Sequence, residues 1–294
     1  MWRDYVFSLW ALFVISRATV EGADKDTELS KIFEELWALD ENRAEPNTDW
    51  RVNVQGSLNG KAENLDVATS SFFTFVNEKK LTLPTYTAFI RLLDNYDKEV
   101  GSNEKETDEE KKEIANFIDA ISKTKVMKKA HEYLVSKGLA DKSMANFMTQ
   151  LSNLWFSFYN RNSQSDSSGF EHVFVGETKR GEILGLHNWI QFYLEEKAGR
   201  LDYAGYHKSS CYKEPRLFTI GLKWTGGNSK HYSSILVGPS PEFEMAMYTV
   251  AFLTSKNKFG RGNWNDLPVQ VGPCFMRIQC YDMLSSGLIY FFMF

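Results

Sequence analysis

The 294-residue chain has 43% hydrophobic and 24% charged residues, an ordinary globular balance, and is long enough for one large domain or two small ones. A formal net charge of −4 excludes a global pull toward nucleic acid, so any polyanion site must be built from local cations. Aromatics reach 15%, enough to line a cleft as well as a core.

The first segment, MWRDYVFSLWALFVISRATVEG, has the layout of a cleaved secretory signal. Arg3 supplies a basic start, Val6 to Ile15 an apolar stretch, and Ala18 or Gly22 small residues for cleavage. Residues 1–22 are therefore expected to be a signal peptide and the protein to be secreted; the stretch is too short to span a bilayer. Three cysteines, Cys211, Cys274 and Cys280, allow one bridge plus a free thiol, or no bridge, and imply no disulfide scaffold. No Asn-x-Ser/Thr acceptor occurs in the chain.

Next, Leu29, Ile32, Phe33, Leu36 and Trp37 recur at helical spacing, with Asp26 or Thr27 available as cap. The turn-rich piece EPNTDWRVNVQGSLNG leads to four further helical patterns. These are LPTYTAFIRLLDNYDKE, DEEKKEIANFIDAIS, VMKKAHEYLVSKGL and KSMANFMTQLSNLWFSFYNR, and GSNEKETDEEKK is a solvated connection between two of them. The character changes near residue 163. VFVGE and EILG flank TKRG and read as a hairpin, LHNWIQFYLEEKAG as a helix, and RLFTIGLKW and YSSILVG as strands. SPEFEMAMYTVAFL is a helix with Ser240 as cap and Pro241 at its first position; PVQV and MRIQCYDM close the pattern as strands. Helices followed by mixed sheet predict an α+β fold, with a helical part over 23–162 and a β-rich part over 163–294.

Within SGFEHVFVGE, His172 has Glu171 beside it and Glu177 five residues on, in an apolar setting where such groups need partners. If the hairpin turn centres between Lys179 and Arg180, Val175 faces Leu184 and His172 faces His187, which brings two imidazoles together. Two histidines suit paired acid and base work near neutral pH. In RNA transphosphorylation one imidazole takes the 2′-OH proton, the other protonates the departing 5′-oxygen, and a lysine offsets phosphoryl charge. Taken singly, a histidine in an apolar strand reads more readily as structural than as catalytic, and two at arbitrary spacing are little different. Glu171, Glu177 and the two histidines also read as metal ligands, the site of a metal-dependent hydrolase leaving 5′- or 3′-phosphate ends. Cys211 near a histidine suggests a thiol protease only weakly, because nothing around it resembles a nucleophile site.

The strings SGFEHVFVGE and GLHNWIQFYLEEK, the N-terminal LSKIFEELWALDENR…VQG, and SPEFEMAMYTVAF, met in that family's order, resemble the EndoU family of poly(U)-specific endoribonucleases, of which the coronavirus uridylate-specific enzyme is a distant relative. The resemblance runs from about residue 25 to about residue 282. It implies that the β-rich part holds the active-site cleft, with catalytic roles for His172, His187 and Lys230, the last placed by KHYSS four residues before Ser234. It further implies that Glu171 and Glu177 orient the histidines or meet a divalent ion, and that Ser234 and Tyr281 support or bind the substrate. The implied activity cleaves single-stranded RNA at uridines and leaves 2′,3′-cyclic phosphate ends, with Mn²⁺ as an associated ion whose ligands are unknown. A monomer without stable membrane association is expected. His231, beside Lys230, reads as polar filler or an RNA contact, and His131 and His207 as structural or surface residues.

The end departs from the family pattern. IQCYDM puts Cys280 where threonine is expected, and LSSGLIYFFMF matches nothing in the family, reading either as a substitute edge strand or as a foreign end. The competing functional class is therefore a secreted RNA-binding protein with impaired turnover, using Lys230, Lys223 and Arg180 with ring stacking from Trp224 or Tyr281.

Overall fold

The structure, a computed structural model, describes residues 25–59, 66–101, 106–161, 164–211, 214–255, 264–282 and 289–293. The expected signal peptide lies outside the described residues. Helix α1 (Thr27–Leu39) starts where Asp26 accepts the Leu29 amide at 2.9 Å, and buries Leu29, Ile32, Phe33 and Leu36. Helix α2 (Pro84–Arg91) stops well short of the expected Glu99. The amides of Leu92 and Leu93 turn back to Phe89 and Ile90 in tightened bonds, and Asp94, Asn95 and Asp97 then favour turns over helix. Helix α3 (Asp108–Ser122) opens on a Thr107/Glu110 capping box, α4 (Lys125–Ser136) on Thr124 and α5 (Met144–Phe156) on Ser143.

The helical part also contains strands that the sequence pattern did not announce. Strand β1 (Trp50–Val52), inside the turn-rich piece, pairs antiparallel with β2 (Phe73–Val76). The chain leaves α5 at Ser157, so FYNR is not helical; Tyr159–Arg161 forms β3 and pairs with β4 (Gln164–Ser167).

The remaining elements are β5 (Glu177–Lys179), β6 (Glu182–Leu184), α6 (Trp189–Lys197), β7 (Leu201–Ser210), β8 (Leu217–Trp224), β9 (Ser229–Leu236), α7 (Pro241–Ser255), β10 (Trp264–Val271), β11 (Cys274–Asp282) and β12 (Ile289–Met293). Five strands form one sheet in the order β5-β6-β9-β8-β7, with β6 and β9 parallel and the other pairs antiparallel; β10-β11-β12 form a second sheet. The α+β expectation is the fold observed. Helix α7 is buried almost all round, Glu242 and Glu244 of its first turn included, and packs against α1, α2, α4 and β11. Ser240 caps it as expected, its hydroxyl accepting the Phe243 amide at 3.2 Å.

Of the two cysteine readings, the bridge with a free thiol is the one formed. Cys211 and Cys274 are joined and Cys280 is a buried free cysteine. The bridge ties the end of β7 to the start of β11 across 63 residues, a loop length for which cross-linking contributes about 4 kcal/mol. A bonded Cys211 also removes the thiol-protease reading. The tail forms a substitute edge strand: β12 pairs antiparallel with β11, Tyr281 opposite Tyr290.

Candidate active site

The segment carrying His172 is not a strand. Glu171–Val175 forms a single π-helical turn, closed by the Gly176 amide bonding back to the Glu171 carbonyl at 2.8 Å. The helical turn brings Phe170 and Phe174, four residues apart, to 5.0 Å between ring centroids, where a strand would set them about 13 Å apart. Both are fully buried among Phe89, Phe117, Trp155 and Phe156. Gly176, at φ +89°, stops the turn, and a Cβ there would sit 2.8 Å from the Leu186 Cβ.

The hairpin exists, but its register is shifted. Arg180 and Gly181 both have positive φ and make the two-residue turn, so Glu177, not Val175, faces Leu184. His172 and His187 therefore do not meet as cross-strand partners. They are joined instead through the backbone beyond the hairpin: the Leu186 amide donates to the His172 carbonyl at 3.1 Å and the His187 amide to the Val173 carbonyl at 2.9 Å. Gly185 makes this approach possible. Its φ is +65°, and a Cβ would lie 1.6 Å from the His172 carbonyl oxygen, so no side chain fits. Leu186 follows at φ +58°, a costly conformation for a branched side chain, held here at the centre of the constellation.

The two imidazoles have opposite supports. His172 Nδ1 lies 2.6 Å from Glu177 Oε2, and the other carboxylate oxygen accepts the Ser167 hydroxyl at 2.5 Å; all three residues are buried. His187 Nδ1 lies 2.9 Å from the Ser234 carbonyl, which can only accept, so Nδ1 carries the hydrogen and Nε2 is the basic nitrogen of the neutral ring. Burial holds the His187 pKa well below the usual imidazole value, and the nearby Lys230 and His172 charges push the same way. Lys230 donates to the Gly185 carbonyl. The residue is partly exposed, yet its ammonium is surrounded by protein, and burial lowers its pKa to about 7. Ser233, which the sequence reading passed over, donates to the Leu186 carbonyl at 3.0 Å and pins the same loop from β9.

The supporting residues divide. Glu177 holds His172 as expected. Glu171 accepts the Ser168 amide at 3.3 Å while its own amide bonds the Ser168 hydroxyl at 3.1 Å, which ties the start of the π-turn. Ser234 enters through its carbonyl, since its hydroxyl pairs with Thr219 at 3.4 Å. Tyr281 lies on β11, its hydroxyl donating to Gln279 Oε1 at 3.2 Å; β12 comes between, packing against the π-turn and β9. Trp224 is not a stacking surface. It is buried, its indole N–H donates to Glu195, and Lys98 covers its ring at 4.6 Å. Lys223 pairs with Asp66 at 3.4 Å, and Arg180 is exposed at the hairpin tip. His131 is structural, bonded to the Asp141 carbonyl and stacked on Phe147.

Among the described residues no group of three or more His, Cys, Asp or Glu side chains is arranged to hold a metal ion. Glu171, Glu177 and the two histidines thus do not form a ready cage for the Mn²⁺ that the resemblance implies. Nor, among the described residues, is any helix long and apolar enough to cross a membrane.

The chain is similar to known endoribonucleases over most of its length. The family model of Endoribonuclease XendoU matches residues 28–290. The uridylate-specific endoribonuclease C of Danio rerio is 46% identical over 269 residues, which cover 87% of this chain and 85% of that protein. The poly(U)-specific endoribonuclease-A of Xenopus laevis is 46% identical over 246 residues, covering 80% and 84%. The solved structure of XendoU, described as a splicing-independent snoRNA processing endoribonuclease, superposes with a TM-score of 0.77 at 39% identity, covering 92% of this chain and 99% of that one.

Proposed function

The chain belongs to the endoribonuclease XendoU family and is an endoribonuclease; we propose that it cuts single-stranded RNA at uridines by 2′-OH transphosphorylation. The observation that carries this reading is the opposite support of two buried imidazoles beside one lysine.

In this mechanism His187 is the base. Its neutral ring, fixed by the Ser234 carbonyl, takes the 2′-OH proton on Nε2 as O2′ attacks phosphorus. His172 is the acid. The Glu177 carboxylate stabilises the imidazolium, which gives its Nε2 proton to O5′ as the P–O5′ bond breaks. The products are a 2′,3′-cyclic phosphate and a 5′-hydroxyl. Lys230 exchanges the Gly185 carbonyl for the non-bridging oxygens and offsets the charge that gathers there. No step here is routed through a metal.

The protein is further proposed to act as an exported monomer. The Cys211–Cys274 bridge supports export, because disulfides persist in oxidising compartments.

The test uses an RNA holding one uridine and a twin carrying 2′-deoxyuridine there, with and without Mn²⁺, the fragment ends being read by mass spectrometry. Cyclic phosphate after the uridine and no cut in the twin is the expected result. Phosphomonoester ends, or a cut twin, would overturn the mechanism, and intact RNA that still binds would favour the impaired binder. The pH profile follows from Lys230. With its pKa lowered to about 7 the ammonium is present below that pH and lost above it, so kcat/KM should decline above pH ~7. Lys230→Arg, which stays charged, should lose rate and make that limb shallower, leaving only the part set by loss of the His172 proton; a limb that persists unchanged would remove Lys230 from the role.

A further inference from the structure

A second feature of β9 lies outside the proton-transfer machinery. Of the three register irregularities that flank strand β8, two meet at one place, one in β7 between Tyr206 and Lys208, the other where Ile220 and Leu222 face Ser233 and Lys230. The residues these irregularities displace are His207 on one side and His231 with Tyr232 on the other. Such irregularities re-aim side chains, and here they gather three rings. His207 stacks on Tyr232 at 4.0 Å between centroids and 30° between planes, and His231 stands edge-on to both at 4.8 and 4.5 Å. His207 Nε2 bonds the His231 carbonyl at 2.8 Å, which fixes the buried ring.

Tyr232 is 48% exposed, the only large hydrophobic side chain so exposed among the described residues. One face of its ring is covered by a locked imidazole while much of the side chain meets solvent. Lys230 is two residues away along β9, and it lines one shallow depression together with His231, Ser229 and Lys223. Lys208, exposed, follows His207. A rigid exposed ring on a sheet that also carries lysines is suited to hold a base of single-stranded nucleic acid without reading its identity.

We propose that Tyr232, backed by His207, is a stacking platform for the nucleobase adjoining the uridine whose phosphodiester Lys230 meets. The inference rests on RNA being the substrate of this site, as proposed above, and extends the contact surface by one nucleotide. The same surface explains how a chain whose Trp224 is closed to RNA still offers a ring.

The experiment measures binding, not cleavage. The probe is a fluorescein-labelled eight-nucleotide RNA with a single uridine, 2′-deoxy at that sugar, and companions that each lack one base beside the uridine. Tyr232→Ala should raise Kd about tenfold for the full probe, while Tyr232→Phe keeps the native value. For the intact protein, one companion should lose the same tenfold, and that companion alone should bind Tyr232→Ala no worse than the full probe does. An unchanged Kd for Tyr232→Ala, or losses that add at every position, would overturn the platform. A wild-type protein that binds the probe but never cuts the ribose form would overturn the transphosphorylation reading alone; one that does not bind overturns both.

Discussion

His187→Ala should lower kcat on a uridine-containing RNA by ~10³-fold, and His172→Ala by a similar factor, since each removes a positioned proton-transfer group. The two variants should separate on an activated substrate. A uridine 3′-phosphodiester with a p-nitrophenyl leaving group departs without protonation, so His172→Ala should regain most of its lost rate there. His187→Ala should regain little, because the 2′-OH must still be deprotonated. The prediction follows from the supports: a carbonyl at 2.9 Å leaves His187 with a basic Nε2, and a carboxylate at 2.6 Å favours a protonated His172. Glu177→Gln adds a third check. It keeps a side chain of the same shape beside Nδ1 but removes the charge, and the loss should fall on the RNA far more than on the activated ester. If both histidine variants recover equally, or if His187→Ala is the one rescued, the acid and base are reversed or absent.

The chemistry of this site was easier to read than its geometry. His172, His187 and Lys230 were legible as residue types in recognisable strings, and the structure does bring them together. The strand expected for VFVGE failed because its β-branched valines favour a strand while Phe170 and Phe174, whose spacing of four suits helix and strand alike, gave no local signal of the turn that packs them together. The hairpin was legible, but its register depended on which two residues take positive φ, and Arg180 is not a residue that announces this. Strand β7 went unread because Asp202, Lys208, Ser209 and Ser210 interrupt any apolar alternation, and its irregularity at His207 breaks the period of two. Gly185 carried the strongest missed signal: a glycine placed two residues before a histidine where backbone must pass backbone. Which cysteines pair, and which ring faces solvent, depend on contacts between residues distant in sequence, and no local pattern encodes those.

Such a distant contact also underlies the largest stability effect expected. Asp40, at the end of α1, is buried against the first turn of α7, where its Oδ2 accepts the Ser240 amide at 3.1 Å. Glu242 and Glu244 are buried in the same region, and one oxygen of each of the three carboxyls has no hydrogen-bond partner among the described residues. Burial, and next the Glu242 charge, raise the Asp40 pKa from 3.8 to about 7. A raised carboxyl binds its proton more tightly in the folded chain than in the unfolded one. Its stabilising contribution is therefore complete below pH ~4 and is lost as pH rises through about 7, a total of about 4 kcal/mol for a shift of roughly three units. Glu244, raised by its own burial, acts in the same sense. Asp40→Asn keeps an oxygen for the Ser240 amide and cannot ionise, so it should be more stable than the native chain. The gap should widen by about 2 kcal/mol between pH 5.5 and pH 8, as read from urea unfolding at each pH. A gap that is constant with pH would mean that Asp40 is ionised throughout that range and is held by its neighbours as a charge rather than as a protonated carboxyl.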